Sequence, residues 1–134
     1  MDNATEIACQ RLVIGSYSLM DHGRYEETAA LFTDDATWVR GGKAVTGRAA
    51  ILNSLRQRPQ SDITRHIITN IFVEAVSEAD AKATACLIPL RGGKREDGTA
   101  ATPPIANIGD IFYQFRRQEN KWLITYLKPN FVFK

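Results

Sequence analysis

The sequence predicts an α+β fold of three helices and one early strand followed by a long antiparallel meander. Three observations carry that expectation. Apolar residues recur at helical spacing in the first 60 residues, and the period changes to two from about residue 64 onward. The two kinds of element are segregated along the chain, the mark of α+β rather than alternating α/β order. Only one long polar, Gly/Pro-rich stretch interrupts the strand half, at residues 91–104.

The elements follow in order. Residues 4–20 hold no proline, and Ala8, Leu12, Gly15 and Leu19 form an apolar stripe widened by Cys9, Val13 and Met20. Ile7, Ile14, Tyr17 and Asp21 form a second, narrower row, so this helix is expected to be buried on two sides. Asp21-His22-Gly23 ends it, with Gly23 as C-cap. A short helix is expected from Arg24 to about Phe32, with Tyr25, Ala29 and Phe32 inward. Asp34-Asp35 reads as a turn, Ala36 to Arg40 as a short strand, and Gly41-Gly42 as its end. Thr46-Gly47-Arg48 opens a third helix with Ile51, Leu52 and Leu55 on its apolar face, and Pro59 stops it. Strands are then expected over 64–76, 81–90, 105–117 and 121–128, with turns at 77–80 and 118–120. The apolar Phe131-Val132-Phe133 tail is expected to pack on something. Residues 91–104 are either a lid over a pocket mouth or a mobile hairpin tip. A strongly bent sheet with a helix across its concave side leaves a pocket between them.

Composition bounds the function. The 134 residues make one domain, 1–134, large enough to bury a core without staples. Apolar residues are 44% and charged residues 24%, an ordinary globular balance. A formal charge of +2 is too small for a nucleic-acid interface. No apolar run reaches membrane-spanning length, and the first residues lack the pattern of a signal peptide. The expected location is therefore cytoplasmic. Cys9 and Cys86 sit in apolar surroundings and outside any metal-ligand spacing, so they read as free buried thiols; neither a metal nor a cofactor is expected. The glycine pairs at 41–42 and 92–93 read as turns, not phosphate-binding loops.

Five segments together resemble a known family: Asp21 to Trp38, Thr46 to Ile51, Arg65 to Asn70, Gly109 to Tyr113, and Lys121 to Pro129. They are similar to the SnoaL-like branch of the nuclear transport factor 2-like superfamily. The resemblance implies a cone-shaped α+β barrel, with three N-terminal helices packed on a strongly bent, mainly antiparallel sheet. Scytalone dehydratase, hexachlorocyclohexane dehydrochlorinase and bile-acid 7α-dehydratase look closest within the branch. They place an Asp near the end of the first long helix and a His on the following long strand, positions matched by Asp21 and His66. In these families the His is the base and the Asp orients it. His-x-x-Thr-Asn at 66–70 is similar to the dehydrochlorinase, and Leu-Lys-Pro at 127–129 to scytalone dehydratase. The chain departs from the latter at Met20, Arg40, Ala85 and Ile111, so scytalone itself is not the expected substrate.

The chemistry implied is proton transfer at carbon. A neutral imidazole can take a proton next to a carbonyl or a leaving group, and a carboxylate on its other nitrogen fixes the tautomer. Elimination also needs a donor for the departing group. Tyr17, one turn before Asp21, is a candidate for that role or for plain core lining. Arg40, Tyr113, Asn70 and Lys128 are further candidates. Alternation along the strand places His66, Ile68, Asn70 and Phe72 on one face. Arg40 also reads as a rim or interface ion-pair partner; Trp38, Phe112 and Trp122 read as core or subunit contacts, and His22 as uninvolved. The substrate-binding set is thus Tyr17, Arg40, Asn70, Tyr113, Lys128, Trp38 and Phe72, around the catalytic pair Asp21 and His66. The expected activity is a cofactor-independent dehydratase-type elimination on an apolar cyclic or aromatic small molecule. An isomerase or cyclase of polyketide or terpenoid metabolism, using the same pair, is the alternative. A non-catalytic assembly subunit, like the small subunits of ring-hydroxylating dioxygenases, is the other. Apolar residues on both faces of the long strands (Ile67, Ile71 and Val73 against Ile68 and Phe72) predict a homo-oligomer, a trimer or a dimer.

Overall fold

The computed structural model describes residues 1–134. Helix α1 spans Asn3–Asp21, α2 Tyr25–Ala29 and α3 Arg48–Arg56. The strands are β1 Phe32–Arg40, β2 Lys43–Thr46, β3 Asp62–Ala75, β4 Asp80–Gly93, β5 Ile108–Gln118 and β6 Lys121–Phe133. They form one six-stranded sheet in the order β2-β1-β6-β5-β4-β3. Every neighbouring pair is antiparallel except β1 with β6, which is parallel. The architecture is three helices on a curled, mainly antiparallel sheet.

Helix α1 starts where Asp2 caps it, its side chain accepting the Thr5 backbone N–H at 2.7 Å. It ends at His22, and Gly23 turns the chain away with φ +73°. Its inward face is Cys9, Leu12, Val13, Ser16, Tyr17 and Met20, packed with Phe32, Trp38, Ile111, Tyr113, Phe115 and Leu127 in one core. The second apolar row divides. Tyr17 is buried with the first row, whereas Ile7 and Ile14 face outward and are exposed. Helix α3 buries Ile51 and Leu55.

Several element boundaries differ from the expectation for local reasons. Helix α2 stops at Ala29, and β1 begins at Phe32 and runs through Asp34-Asp35, the expected turn. Both aspartates sit where β1 is out of register with β6, and Arg48 pairs with Asp34 at 2.6 Å. Gly41-Gly42 does not end the sheet. With φ +57° and +76° it makes the tight turn into β2, a strand too short to show a period of its own. Strand β4 continues to Gly93 and β5 starts only at Ile108, so the loop is 94–107 rather than 91–104. It folds back on itself, with the Arg95 N–H bonded to the Thr99 carbonyl and Ala100 packed against Gly92. The Phe131-Phe133 tail belongs to β6, pairing with Ile108 and Gly109.

A bulge in β3 has the largest consequence for function. Thr69 pairs with Cys86 and Phe72 with Thr84, so Asn70 and Ile71 together oppose Ala85. Asn70 takes the left-handed conformation, φ +57°, which Asn tolerates better than most residues. The alternation slips by one residue there. Thr64, His66 and Ile68 face α1 before the bulge, and Ile71 and Val73 face it afterwards. Phe72 is thrown to the opposite side, 62% exposed.

Candidate active site

Asp21 is the last residue of α1, a position that disfavours a carboxylate because the helix dipole is negative there. Its side chain is nevertheless only 3% exposed. Three donors compensate. The Thr64 hydroxyl donates to Oδ1 at 2.8 Å, the His66 backbone N–H to Oδ2 at 2.7 Å, and the His66 ring meets Oδ1 through Nδ1 at 2.6 Å. Burial alone pushes the Asp21 carboxyl up; the His66 ring and the other donors outweigh it and hold the carboxyl below its usual value. An ionised carboxylate only accepts, so Nδ1 carries the proton and Nε2 keeps its lone pair in the neutral ring. No protein hydrogen bond engages Nε2.

The His66 side chain is 13% exposed and forms part of the wall of a cavity of about 270 Å³. Tyr17 lies across it, with ring centroids 4.7 Å apart. Tyr17 in turn meets Trp38 edge-on at 5.7 Å, and Trp38 stacks on Phe32 at 5.3 Å. Burial raises the Tyr17 phenol far above its ordinary value, so it stays a protonated donor. The Arg40 guanidinium lies 4.8 Å over the Trp38 ring and donates to Met20 Sδ at 3.4 Å. It pairs with no carboxylate of this chain.

The sequence-derived set therefore splits. His66, Tyr17, Trp38 and Arg40 come together around the cavity, and Asp21 stands behind the His66 ring without bordering it. Asn70, Phe72, Lys128 and Tyr113 do not. The β3 bulge moves Asn70 and Phe72 to the other face of the sheet, where Asn70 shares a shallow groove with Cys86, Asp110 and Phe112. Lys128 follows them, because it pairs with Phe112 on that outer face and is exposed. Tyr113 points inward but is fully buried, its hydroxyl 2.8 Å from Ser16 Oγ, and it is core rather than cavity wall. His22 is exposed and bonds through Nδ1 to the Ser18 carbonyl at 2.8 Å. Burial pushes the Cys9 thiol up to about 11, which leaves it unreactive.

Sequence reasoning missed four contributors. Thr64 is two residues before His66, and strand alternation alone could have found it. Arg58, in the segment after α3, donates to the Met20 carbonyl at 3.1 Å and to Thr64 Oγ1 at 2.8 Å. Arg91 and Phe131 also border the cavity, and nothing local in the sequence marks either. Phe131 reaches it beside Gly109, where an added Cβ would stand 3.0 Å from the Phe131 ring. No group of three or more His, Cys, Asp or Glu side chains comes together as a metal site, and no helix is long and apolar enough to cross a membrane.

Three helices on a curled six-stranded sheet make an α+β fold of the kind described as cystatin-like in solved structures that superpose on it. Within that class the chain belongs to the SnoaL-like family, whose model matches residues 4–128. No curated protein matches the chain in sequence. Solved structures do match in fold. A protein of unknown function from Mycobacterium tuberculosis superposes with TM-score 0.82 at 20% identity, over 96% of this chain and 72% of that one. A candidate scytalone dehydratase from Novosphingobium aromaticivorans gives 0.74 at 21% identity, over 97% and 86%. A type 2 hexachlorocyclohexane dehydrochlorinase gives 0.77 at 19% identity, over 97% and 86%. At these identities the likeness is one of fold.

Proposed function

We propose that this protein is a cofactor-independent lyase, carrying out a dehydratase-type elimination on a small cyclic or aromatic molecule. One observation carries the reading: a carboxylate-bound imidazole whose free nitrogen is left unpaired, on the wall of a cavity large enough for a small ligand. His66 Nε2 takes a proton from the carbon next to a carbonyl. That C–H bonding pair forms the new double bond, and the C–O bond breaks on the neighbouring carbon. The departing hydroxide takes a proton from the Tyr17 phenol or from the newly formed imidazolium and leaves as water. Asp21 holds the ring in the required tautomer and stabilises its charged form. The likeness to a dehydrochlorinase and to a candidate scytalone dehydratase supports the lyase class.

The test is a screen of cyclic β-hydroxy ketones for the enone product, with His66→Ala as control. Enone formation lost in the variant is the expected result. Migration of a double bond in an unsaturated ketone, with no water released, would assign the isomerase reading to the same pair. No turnover, together with capture of a larger partner chain, would replace both with an assembly role.

In this reading a second copy of the chain covers the outer sheet face. Phe72 on β3 and Phe112 on β5, which flank Thr84 of the intervening β4, are 62% and 42% exposed there. The expected assembly is a trimer or a dimer, and light scattering of the purified protein decides between them.

A further inference from the structure

The cavity beside His66 is rich in positive charge in a way the elimination itself does not require. Arg40, Arg58 and Arg91 all border it, and no Asp or Glu does. Arg40 is half-buried, yet its contacts are a thioether sulfur and the face of Trp38. Arg58, also half-buried, bonds to a carbonyl and a hydroxyl, both neutral. Arg91 reaches Asp62, but only at 3.4 Å and near the surface. The Asp21 carboxylate is buried close by, and its oxygens are taken by Thr64 and His66.

Guanidiniums brought together and partly removed from water are costly unless an anion joins them. A cation–π contact such as that of Arg40 offsets only part of that cost, and a thioether is a weak acceptor. Each guanidinium has five N–H donors, so most of those on Arg40 and Arg58 remain free for a ligand. Burial and the charge of Arg58 lower the Arg40 pKa, as expected of like charges in close company. Arg58 and Arg91 also border a neighbouring polar depression of about 360 Å³, where Lys94, Asp21 and Asp62 mix the charge. The cavity beside His66 is the part of this surface lined by arginine without a carboxylate.

We infer that the site binds an anionic ligand: a ring or other apolar body against Trp38 and Tyr17, with a carboxylate or phosphate monoester held by Arg40, Arg58 and Arg91. This rests on the reading of the His66 cavity as the reaction site, and replaces a wholly apolar substrate with one that carries a fixed negative group. Planar guanidiniums suit both headgroups through paired N–H···O bonds.

Calorimetric titration at fixed ionic strength tests it with three probes of one shape class: 2-naphthoate, 2-naphthyl phosphate and the neutral 2-naphthamide. At least one anion is expected to bind at least about tenfold more tightly than the amide. The tighter of the two names the headgroup. That preference is expected to fall in Arg40→Gln and Arg58→Gln, and to persist in His66→Ala. Equal or tighter binding of the amide to the wild-type protein overturns the inference, without reliance on any variant's folding. A preference abolished by His66→Ala also overturns it, because the anion would then sit on the imidazole. The two readings fail separately. Anion preference without turnover sinks only the lyase, and turnover of neutral substrates without anion preference sinks only the arginine site.

Discussion

The two faces of β3 on either side of its bulge differ in kind. Before Asn70 the strand turns Thr64, His66 and Ile68 toward α1, and these residues meet Asp21 or the core. At and after Asn70 the residues that plain alternation would put beside His66 are on the outside, and Phe72 stands exposed on the outer face of this edge strand. One extra residue separates a candidate reaction site from a candidate contact surface. A shift of one position in a strand exchanges its faces, because the side-chain period is two. Proximity in sequence to a catalytic residue therefore says little unless register is known.

That contrast can be broken from either side. The largest effect is expected at His66: His66→Ala should lower turnover by about 10²–10⁴-fold, the usual worth of a positioned general base. Lys128→Ala and Asn70→Ala, on the other face, should leave steady-state rates within about twofold, since neither reaches the cavity.

The next effect is on stability and its pH dependence. Asp21→Asn leaves three donors facing an amide and should cost about 1–3 kcal/mol in urea denaturation at pH 7. The folded protein holds the Asp21 carboxyl below its unfolded value. Its contribution is therefore full above the unfolded pKa, about 3.9, and is lost as pH falls through the lower folded value. The gap between wild type and Asp21→Asn should accordingly be widest at pH 6–7 and close toward pH 3. A gap that widened on acidification would contradict the geometry.

Asn70 sharpens the comparison at the bulge itself. Asn70→Val should destabilise by about 1–2 kcal/mol because a β-branched residue resists φ +57°. Asn70→Gly should be neutral or slightly stabilising, and denaturant midpoints distinguish the two. The smallest effect on chemistry belongs to the outer face. Phe72→Glu should lower the assembly state seen by light scattering while the fold, read by far-UV circular dichroism, is unchanged.

Much of this molecule was legible in the residues. The α1 span, its end at Gly23, the two long hairpin strands and the family follow from periodicity, turn residues and the segments at 21–38 and 65–70. The pairing of Asp21 with His66 was legible only through family resemblance, since 45 positions separate them. Strand β2 was hidden because four residues carry too little pattern, and the bulge because nothing in Thr69-Asn70-Ile71 forbids regular alternation. Arg58, Arg91 and Phe131 were silent for a different reason. Each belongs to the site through the path of another element, and a single chain gives no local sign of what lies across a cavity.

By itself, the sequence determined which segments could be helix or strand, because hydrophobic spacing and turn chemistry are local properties. It also carried the family resemblance that singled out Asp21 and His66, because the segments around those positions match the family's pattern. The tertiary structure alone decided which residues share the cavity, and it did so through register. The β3 bulge carried Asn70 and Phe72 away, the Ser16 hydroxyl held Tyr113 in the core, and β1, the segment after α3 and β4 brought Arg40, Arg58 and Arg91 to the cavity, of which only Arg91 reaches a carboxylate. Those outcomes depend on long-range pairing, in which a one-residue shift costs little locally and changes every side chain's neighbours.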